Sequence, residues 1–295
     1  MKQKKVIGID FGGTKIKVAV IAEDGKIHGE EILLPTESNR PAKKIVATMQ
    51  TGILKAVSSA GLKINDLDGI GIGSPGPLDL KNGIILDTPN LPTMKNFPLK
   101  KEISNLFNLP VALNNDGNCF VLGEAYFGAA KNASSVCGVT LGTGFGCGIV
   151  FDKKIYIGTT GTAAEVWCSP YADLNFEEYG SGRTLVRLYR QKTSDKLDSK
   201  EIFHLAQKDN SQAIDTFLEF GKNLGRILAI MVNLLDPDVF VIGGSISNAW
   251  EFFKTPLLEN LNQNINDEPR AHIRVQPALL GDNSGLLGAA ALLFS

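Results

Sequence analysis

The segment VIGIDFGGTKIKVAVI, residues 6–21, is the strongest indication of the fold of this chain. An apolar run that contains Asp10 stops at Gly12 and Gly13, and a second apolar run follows them. Two β-rich runs around a short glycine turn are typical of a β-hairpin. Because glycine has no Cβ, the backbone N–H groups of such a turn can approach an anion closely. The segment therefore predicts a hairpin whose turn binds phosphate.

Two further glycine turns follow along the chain. VCGVTLGTGFGCGIVF, residues 136–151, repeats the plan of the first hairpin, and VIGGSI, residues 241–246, is a strand that ends in a turn suited to a nucleotide base or ribose. GTGFGCG is not a dinucleotide-binding fingerprint and DFGGTK is not a P-loop, because a strand rather than a helix follows each. Any one of these turns also fits a plain β-turn. Their combination and order are what is specific.

The two halves of the chain repeat one arrangement of elements. Residues 4–34 predict three strands, residues 40–61 a helix with Ile45, Met49 and Ile53 at helical spacing, and residues 212–235 a long amphipathic helix. Each half offers a hairpin unit, helices and a further parallel strand. We therefore predict two α/β lobes with a cleft between them. The N-terminal lobe comprises residues 1–115 and 283–295, and the C-terminal lobe residues 116–282.

Composition gives no sign of an unusual partner. The 295 residues are 43% hydrophobic and 21% charged, with a formal net charge of −1, which is ordinary for a globular protein. Charge gives no reason to expect a nucleic acid or a membrane as partner, and no apolar stretch is long enough to span a bilayer. The four cysteines form no CxxC pair. We expect reduced thiols and a cytoplasmic location.

Taken in order, four segments resemble the ROK family of sugar kinases and repressors, within the actin/hexokinase-like superfamily. They are IGIDFGGTKIKVAV, LNNDGN, VTLGTGFGCGIV and DVFVIGGSIS, and SPGPLD and TPNL match the family's sugar loops. The resemblance covers essentially the whole chain. It implies a two-lobed actin/hexokinase-like (ribonuclease H-like) ATPase fold with an interlobe cleft. It also implies phosphorylation of a small-molecule sugar by ATP with Mg²⁺, and a homodimer.

The resemblance assigns roles to individual residues. PVALNNDGN, residues 110–118, predicts a strand that ends on polar residues, and Asp116 lies where that strand stops and the next helix begins. Asp116 falls on the family's catalytic aspartate, although an aspartate before a helical run also fits a helix N-cap. Asp10 matches the acid that orients Mg²⁺ or its waters near the phosphates. The residues implied in nucleotide binding are Asp10, Gly12, Gly13, Thr14, Lys15, Gly142, Thr143, Gly144, Gly243 and Gly244. The residues implied in sugar binding are Gly76, Asn90, Asn115, Asp116, Glu165 and Glu177, with Glu178 as the alternative to Glu177.

The chain departs from the family in the segment AAEVWCSPYADLNFEEYGSG, residues 163–182. Many ROK members carry a histidine and a cysteine cluster there that bind a structural zinc ion. This chain has Cys168 and no histidine in the segment, and one cysteine does not complete a four-ligand site. We therefore expect no zinc. We expect packing of apolar residues to order the loop, namely Trp167, Pro170, Tyr171, Leu174, Phe176 and Tyr179.

Several alternatives remain open at this point. Glucose leads as substrate because SPGPLD, TPNL and the paired acids look glucokinase-like, but N-acetylmannosamine, a β-glucoside, mannose and fructose are alternatives. The phosphoryl donor is open between ATP and polyphosphate. A sugar-responsive regulator without catalysis is the alternative of another class. For a DNA-binding repressor we expect too little room, since five residues precede Val6.

Overall fold

The computed structural model describes residues 3–294 of the chain. In chain order the strands are β1 (Lys5–Phe11), β2 (Lys15–Ala22), β3 (Ile27–Pro35), β4 (Ile70–Ser74), β5 (Leu78–Asp79), β6 (Ile84–Ile85), β7 (Val111–Asn115), β8 (Ser135–Leu141), β9 (Phe145–Phe151), β10 (Lys154–Ile155), β11 (Pro170–Tyr171), β12 (Leu174–Asn175), β13 (Val239–Gly243) and β14 (Arg274–Pro277). The α-helices are α1 (Ala42–Ser59), α2 (Leu99–Phe107), α3 (Asp116–Phe127), α4 (Phe176–Gly180), α5 (Gly182–Thr193), α6 (Ser199–Ala206), α7 (Ser211–Leu235), α8 (Trp250–Asn264), α9 (Asp267–His272) and α10 (Ser284–Ala291).

Two five-stranded sheets share one strand order. The first sheet runs β3-β2-β1-β4-β7 and the second runs β10-β9-β8-β13-β14. In the first, β1 pairs antiparallel with β2 and parallel with β4, and β4 pairs parallel with β7. In the second, β13 pairs parallel with both β8 and β14. Each sheet therefore joins a unit of three consecutive strands, β1–β3 or β8–β10, to two further strands that run parallel with the first strand of that unit. This confirms the predicted α/β fold class.

Contacts within the chain group it into two compact units. The first consists of Met1–Asn132, Gly148–Ala163 and Leu279–Ser295, and the second of Ala133–Cys147 and Ala164–Ala278. These contact units place α3 in the first unit. The lobe boundaries given above, with residues 116–282 in one lobe, stay a prediction, as does the cleft between the lobes.

In the first unit, backbone-to-backbone packing places the site helices. An added Cβ at Gly71 of β4 would lie 1.8 Å from the carbonyl oxygen of Ala289, and one at Gly288 would lie 1.7 Å from that of Cys119. At Gly123 of α3 the same atom would lie 2.1 Å from the carbonyl oxygen of Ser284. Glycine is therefore required where α3, α10 and the first sheet meet. This packing fixes the start of α3 beside the carboxyl ends of β1, β4 and β7.

In the second unit, α7 packs along α8 through the same kind of contact. An added Cβ at Gly221 would lie 2.5 Å from the carbonyl oxygen of Phe253, and one at Gly225 would lie 2.3 Å from that of Leu257. The rings of Phe220 and Phe253 meet edge to face with centroids 5.3 Å apart. Across residues 3–294, every helix is too short or too polar to cross a membrane.

Candidate active site

The first glycine turn joins β1 to β2 and is braced by Thr36. The Gly12 N–H donates to the carbonyl oxygen of Lys15 at 2.9 Å, which closes the turn. The Thr36 hydroxyl donates to the carbonyl oxygen of Gly12 at 2.6 Å, and the Thr36 N–H donates to that of Thr14 at 2.9 Å. Thr14 and Lys15 are exposed. The turn thus presents a hydroxyl and an ammonium group on a braced backbone.

Asp116 is the first residue of α3 and directly follows β7. Asn115 takes the N-cap position, where its Oδ1 accepts from the Gly117 N–H at 2.8 Å. Asp116 Oδ1 accepts from the same N–H at 2.8 Å, which orients its carboxylate at the start of the helix. The structure thus gives the N-cap position to Asn115 and leaves Asp116 exposed at the end of the strand. A carboxylate held this way is accessible to a substrate hydroxyl.

Asp10 lies at the end of β1, within the electric field of Asp116. Burial, followed by the negative charge of Asp116, raises the pKa of Asp10 above its ordinary value, while Lys17 and Lys15 oppose the shift. Cys119 lies one turn into α3 and is affected by the same two carboxylates. Burial, and then the charges of Asp116 and Asp10, raise the pKa of its thiol. The first unit therefore brings two carboxylates of the predicted site together in a partly desolvated place.

The two predicted sugar loops lie beside these elements. An added Cβ at Gly76 would lie 3.0 Å from Nδ2 of Asn115, so the loop after β4 contacts the strand end that precedes Asp116. An added Cβ at Gly13 would lie 2.8 Å from the carbonyl oxygen of Asn90. The loop that carries Asn90 therefore lies directly against the first glycine turn.

The second glycine turn joins β8 to β9 and is held by an acid. The Phe145 N–H donates to Oε2 of Glu177 at 3.2 Å, and an added Cβ at Gly144 would lie 2.7 Å from that oxygen. The Arg183 guanidinium lies 3.1 Å from Oε1 of Glu177 and 3.3 Å from Oε1 of Glu178. The Gly182 N–H donates to the carbonyl oxygen of Gly142 at 2.7 Å. Between the two candidate acids, Glu177 is the one that contacts the turn.

The third turn, Gly243 and Gly244, lies against the start of the second. Gly244 has φ = +82°, and an added Cβ there would lie 2.4 Å from the carbonyl oxygen of Leu141, so only glycine fits. The Ser247 hydroxyl donates to the carbonyl oxygen of Gly244 at 2.7 Å. The second unit thus brings together the residues predicted to hold the nucleotide, Gly142, Thr143, Gly144, Gly243 and Gly244.

Glu165 lies in the loop before β11 and is exposed. Its Oε2 accepts from the Trp167 indole N–H at 2.9 Å. Further along this loop, Tyr171 meets Phe176 and Tyr179 edge to face, with ring centroids 6.1 and 5.0 Å apart. The aromatic cluster expected from the sequence is therefore present in part. Trp167 and Leu174 were wrong members of it, since they are 43% and 44% exposed.

Within residues 3–294, no group of three or more His, Cys, Asp or Glu side chains is arranged to hold a metal ion. Cys168 is exposed, whereas Cys119, Cys137 and Cys147 are buried. The absence of structural zinc stays a prediction.

Sequence reasoning missed three residues that support the site: Thr36, Arg183 and Lys17. Thr36 bonds to residues far away in the sequence, which leaves no local signal. Arg183 pairs with Glu177 and Glu178, only a few residues before it in the chain. Lys17 does leave a local signal in the sequence, because it shares a face of β2 with Ala19 and Ile21. Those two residues pack in an apolar cluster with α10. A lysine at 8% exposure on such a face indicates a specific partner.

Comparison with known proteins agrees with this geometry. The ROK family model matches residues 6–295. A glucokinase of Thermotoga maritima is 29% identical and covers 99% of this chain and 98% of its own length. The crystal structure of a ROK hexokinase from Thermus thermophilus superposes with a TM-score of 0.86 at 30% identity, covering 98% of this chain and 97% of that chain. A ROK family glucokinase from Streptomyces griseus, solved with glucose and AMPPNP, gives a TM-score of 0.81 at 31% identity, covering 98% of each chain.

Relatives with other names match as well. An N-acetyl-D-glucosamine kinase of Haemophilus influenzae is 28% identical and covers 98% of this chain and 99% of its own length. A xylose repressor of Caldicellulosiruptor bescii is also 28% identical, with this chain covering 78% of its length. The family match spans nearly the whole chain. The chain therefore belongs to the ROK family, and its kinase relatives support its assignment as a sugar kinase.

Proposed function

We propose that this chain transfers the γ-phosphoryl group of ATP to a hexose hydroxyl, with glucose to glucose 6-phosphate as the leading reaction. The main support for the proposal is the position and orientation of the Asp116 carboxylate. It is exposed at the β7–α3 junction, oriented by the Gly117 N–H, and close enough to Asp10 for its charge to raise the pKa of that carboxyl. This is the arrangement needed to place an acceptor hydroxyl beside a metal-bound phosphate.

The residues present fit Mg²⁺ and a nucleotide. Mg²⁺ prefers hard oxygen ligands, and it binds proteins through one or two carboxylates together with substrate phosphates. Asp10 is destabilised in its charged form by burial and by Asp116, so a cation nearby would relieve both effects. Thr14, Lys15 and Thr143 are exposed at the two hairpin turns, where they are suited to phosphate oxygens.

In this proposal Asp116 is the general base. Mg-ATP, when bound, supplies an electrophilic γ-phosphoryl group. A carboxylate oxygen of Asp116 accepts the proton of the sugar hydroxyl as the hydroxyl oxygen forms its bond to the γ-phosphorus. The bond from that phosphorus to the β,γ-bridging oxygen breaks, and ADP leaves with the electron pair. Asn115 fixes the base by capping α3, and Gly76 packs against Asn115. A positioned base of this kind contributes about 10²–10⁴-fold to the rate.

The sugar is held by amides and acids in the same proposal. Asn90, Asn115, Glu165 and Glu177 each have oxygens that accept hydroxyl protons. An ionised carboxylate has about four lone-pair sites, so Glu177 can accept a sugar hydroxyl while it stays bonded to Phe145 and Arg183. This would place a sugar-binding acid directly on the second glycine turn.

Two alternatives have specific support. The N-acetyl-D-glucosamine kinase relative favours an N-acylhexosamine as acceptor. The xylose repressor relative favours a sugar-responsive regulator without catalysis. The homodimer, the cytoplasmic location, the absence of nucleic-acid and membrane partners, and the choice of ATP over polyphosphate remain predictions from the sequence.

One assay separates these alternatives. ADP release from Mg-ATP is followed with glucose, mannose, fructose, N-acetylglucosamine, N-acetylmannosamine and a β-glucoside. The proposal expects sugar-dependent ADP release with the highest kcat/KM for glucose. A higher value for an N-acetyl sugar would change the substrate and keep the reaction. Sugar binding by calorimetry with no ADP release from any sugar would favour the regulator.

A further inference from the structure

Residues 279–285, here called the return segment, lead from β14 into α10 and are held by two buried charged side chains from two different elements. Lys17 reaches the segment from β2 and Glu124 reaches it from α3. All of these residues belong to the first unit. Buried charges are rare and destabilise the fold unless they are well hydrogen-bonded. Two of them on one short segment therefore indicate that the position of this segment matters.

Glu124 holds both ends of the return segment. Its Oε2 accepts from the N–H of Leu279 at 3.0 Å, and its Oε1 accepts from the N–H of Leu280 at 2.9 Å and from the Ser284 hydroxyl at 2.7 Å. Oε2 also accepts from the Ala129 N–H just beyond the end of α3, at 2.8 Å. Glu124 is fully buried, so these four bonds stabilise its charge.

Lys17 holds the middle of the segment. Its ammonium donates to the carbonyl oxygen of Asp282 at 3.0 Å and to Oδ1 of Asn283 at 2.8 Å. Glu31 of β3 completes the group, since its Oε2 lies 3.7 Å from the ammonium and its Oε1 accepts from Nδ2 of Asn283 at 2.7 Å. The side chain of Lys17 keeps only 10% of its surface exposed.

The segment so held forms one wall of the Asp10 site. Lys17 stands directly opposite Asp10 in the β1–β2 register, so both side chains leave the same face of the sheet. An added Cβ at Gly285 would lie 3.3 Å from Cγ of Asp10, which places the last residue of the segment against the carboxylate. A shift of the return segment therefore moves the backbone that packs against the Asp10 carboxylate.

We propose that Lys17 is a positioning residue for Asp10: it fixes the return segment against the Asp10 carboxylate and, together with Glu124, sets the geometry in which Asp10 meets the metal–nucleotide. This inference rests on the proposed function, in which Asp10 orients Mg²⁺. Partners that orient a metal-binding carboxylate typically contribute 10- to 100-fold to metal affinity or activity.

The test compares Lys17→Met with Lys17→Arg and with Lys26→Met. Lys26 lies in the turn before β3 with 79% of its side chain exposed, so Lys26→Met makes the same chemical change away from the return segment. For each protein, the Kd of Mg-ATP is measured by calorimetry, and the KM values of Mg-ATP and of the sugar are measured by steady-state kinetics. Thermal unfolding monitors the fold.

Lys17→Met is expected to weaken Mg-ATP binding and raise the KM of Mg-ATP about 10-fold or more, with the KM of the sugar within about twofold of wild type. Lys17→Arg is expected to recover most of the loss, because it restores the charge and the donors. Should Lys17→Met fail to fold, Asn283→Ala removes one acceptor of Lys17 while the bond to the Asp282 carbonyl oxygen remains, and a smaller loss in the same direction is expected.

Three results would overturn the inference. One is an unchanged Mg-ATP affinity in folded Lys17→Met, or in Asn283→Ala where Lys17→Met does not fold. Another is an equal loss in Lys26→Met. The third is a KM of the sugar that rises in parallel with that of Mg-ATP. With an active wild-type enzyme, any of these removes the role of Lys17 and leaves the kinase intact. A wild-type protein that neither binds Mg-ATP nor phosphorylates a sugar removes the proposed function itself.

Discussion

The first and second glycine turns occupy the same place in two sheets of the same strand order, yet they are braced by different chemistry. Uncharged groups hold the first turn: the Thr36 hydroxyl and N–H bond to the backbone of Gly12 and Thr14. A carboxylate holds the second, because Glu177 accepts from the Phe145 N–H and is paired with Arg183.

The difference separates two kinds of site on one repeated frame. The first turn lies beside the acids Asp10 and Asp116, and neutral bracing adds no further negative charge near them. The second turn is coupled to Glu177, an acid that we propose binds sugar. A change at the first turn is therefore expected to affect the backbone and the chemical step. A change at Glu177, the acid that holds the second turn, is expected to affect sugar affinity, while the turn itself remains a predicted nucleotide site.

The largest effect is expected at Asp116, in the first unit. Asp116→Asn keeps the shape of the side chain and removes the base, so kcat should fall about 10²–10⁴-fold while the KM of the sugar changes little. Steady-state kinetics with glucose and Mg-ATP provide both values. A variant with nearly full kcat would show that the proton leaves by another route.

The two turns are expected to tolerate an added methyl group differently. At Gly13 the new Cβ would lie 2.8 Å from a backbone carbonyl oxygen, that of Asn90, whereas at Gly144 it would lie 2.7 Å from the end of the flexible Glu177 side chain. Gly13→Ala should lower the free energy of unfolding by about 1–3 kcal/mol, as overpacking usually does. Gly144→Ala should lower it by less, because a side chain moves more easily than backbone.

Urea unfolding of Gly13→Ala, Gly144→Ala and the wild type checks this order. Gly12→Ala is the matched control in the first turn, since its nearest contact would be 3.4 Å from the carbonyl oxygen of Lys15. Equal losses at Gly13 and Gly144 would mean that the two turns are equally rigid.

Glu177 is expected to affect sugar binding more than nucleotide binding. Glu177→Gln weakens the bonds to Arg183 and Phe145 and removes a charged acceptor for the sugar. A hydrogen bond to a charged group contributes about 1.5–3 kcal/mol, so the KM of the sugar should rise about 10-fold or more. Glu178→Gln is the control, because it changes the neighbouring partner of Arg183. A rise confined to the KM of Mg-ATP would make Glu177 a brace of the phosphate turn alone.

The smallest effect is expected on the stability of Asp10→Asn. Burial and the charge of Asp116 raise the pKa of Asp10 above its ordinary value of 3.8, so the folded chain binds this proton more tightly than the unfolded chain. This carboxyl therefore lowers stability as pH rises from 3.8 through its folded pKa. Asp10→Asn should unfold at a higher Tm than wild type at neutral pH, and the gain should vanish in acid.

Calorimetric scans at several pH values measure that difference. A Tm at or below the wild-type value at neutral pH would show that nearby positive charge, such as that of Lys17, already stabilises the ionised Asp10 carboxylate.

Much of the fold followed from local patterns in the sequence. The glycine turns, their flanking strands, the helix with Ile45, Met49 and Ile53, and the strand end before Asp116 all depend on neighbouring residues. No element was assigned to residues 183–210 or 250–280, where the structure has α5, α6, α8, α9 and β14. Leu185, Leu188 and Tyr189 of α5 are buried at helical spacing, so that signal was present. In α8 the internal Pro256 obscures it.

The site was predictable to the extent that its residues lie in motifs. Asp10, Asn115 and Asp116 lie at strand ends, where a sequence pattern places them. The Glu177–Phe145 bond and the Thr36 brace each join residues that are distant in the sequence, and a single chain carries no local trace of such pairs. The pattern of β2 indicates that Lys17 has a specific partner, but it does not identify that partner. The aromatic loop shows the same limit, since hydrophobicity did not distinguish Tyr171 and Phe176, which pack together, from the exposed Trp167.

Phosphorylation of a hexose by this ROK protein can be observed in a reaction mixture by ³¹P nuclear magnetic resonance. With Mg-ATP, glucose and enzyme, we expect ATP to be converted to ADP and a phosphomonoester of the sugar to appear in equal amount. Without sugar, ATP should persist. If ATP stays intact with every sugar offered, or yields inorganic phosphate at the same rate with and without sugar, the protein is not a hexose kinase that uses ATP.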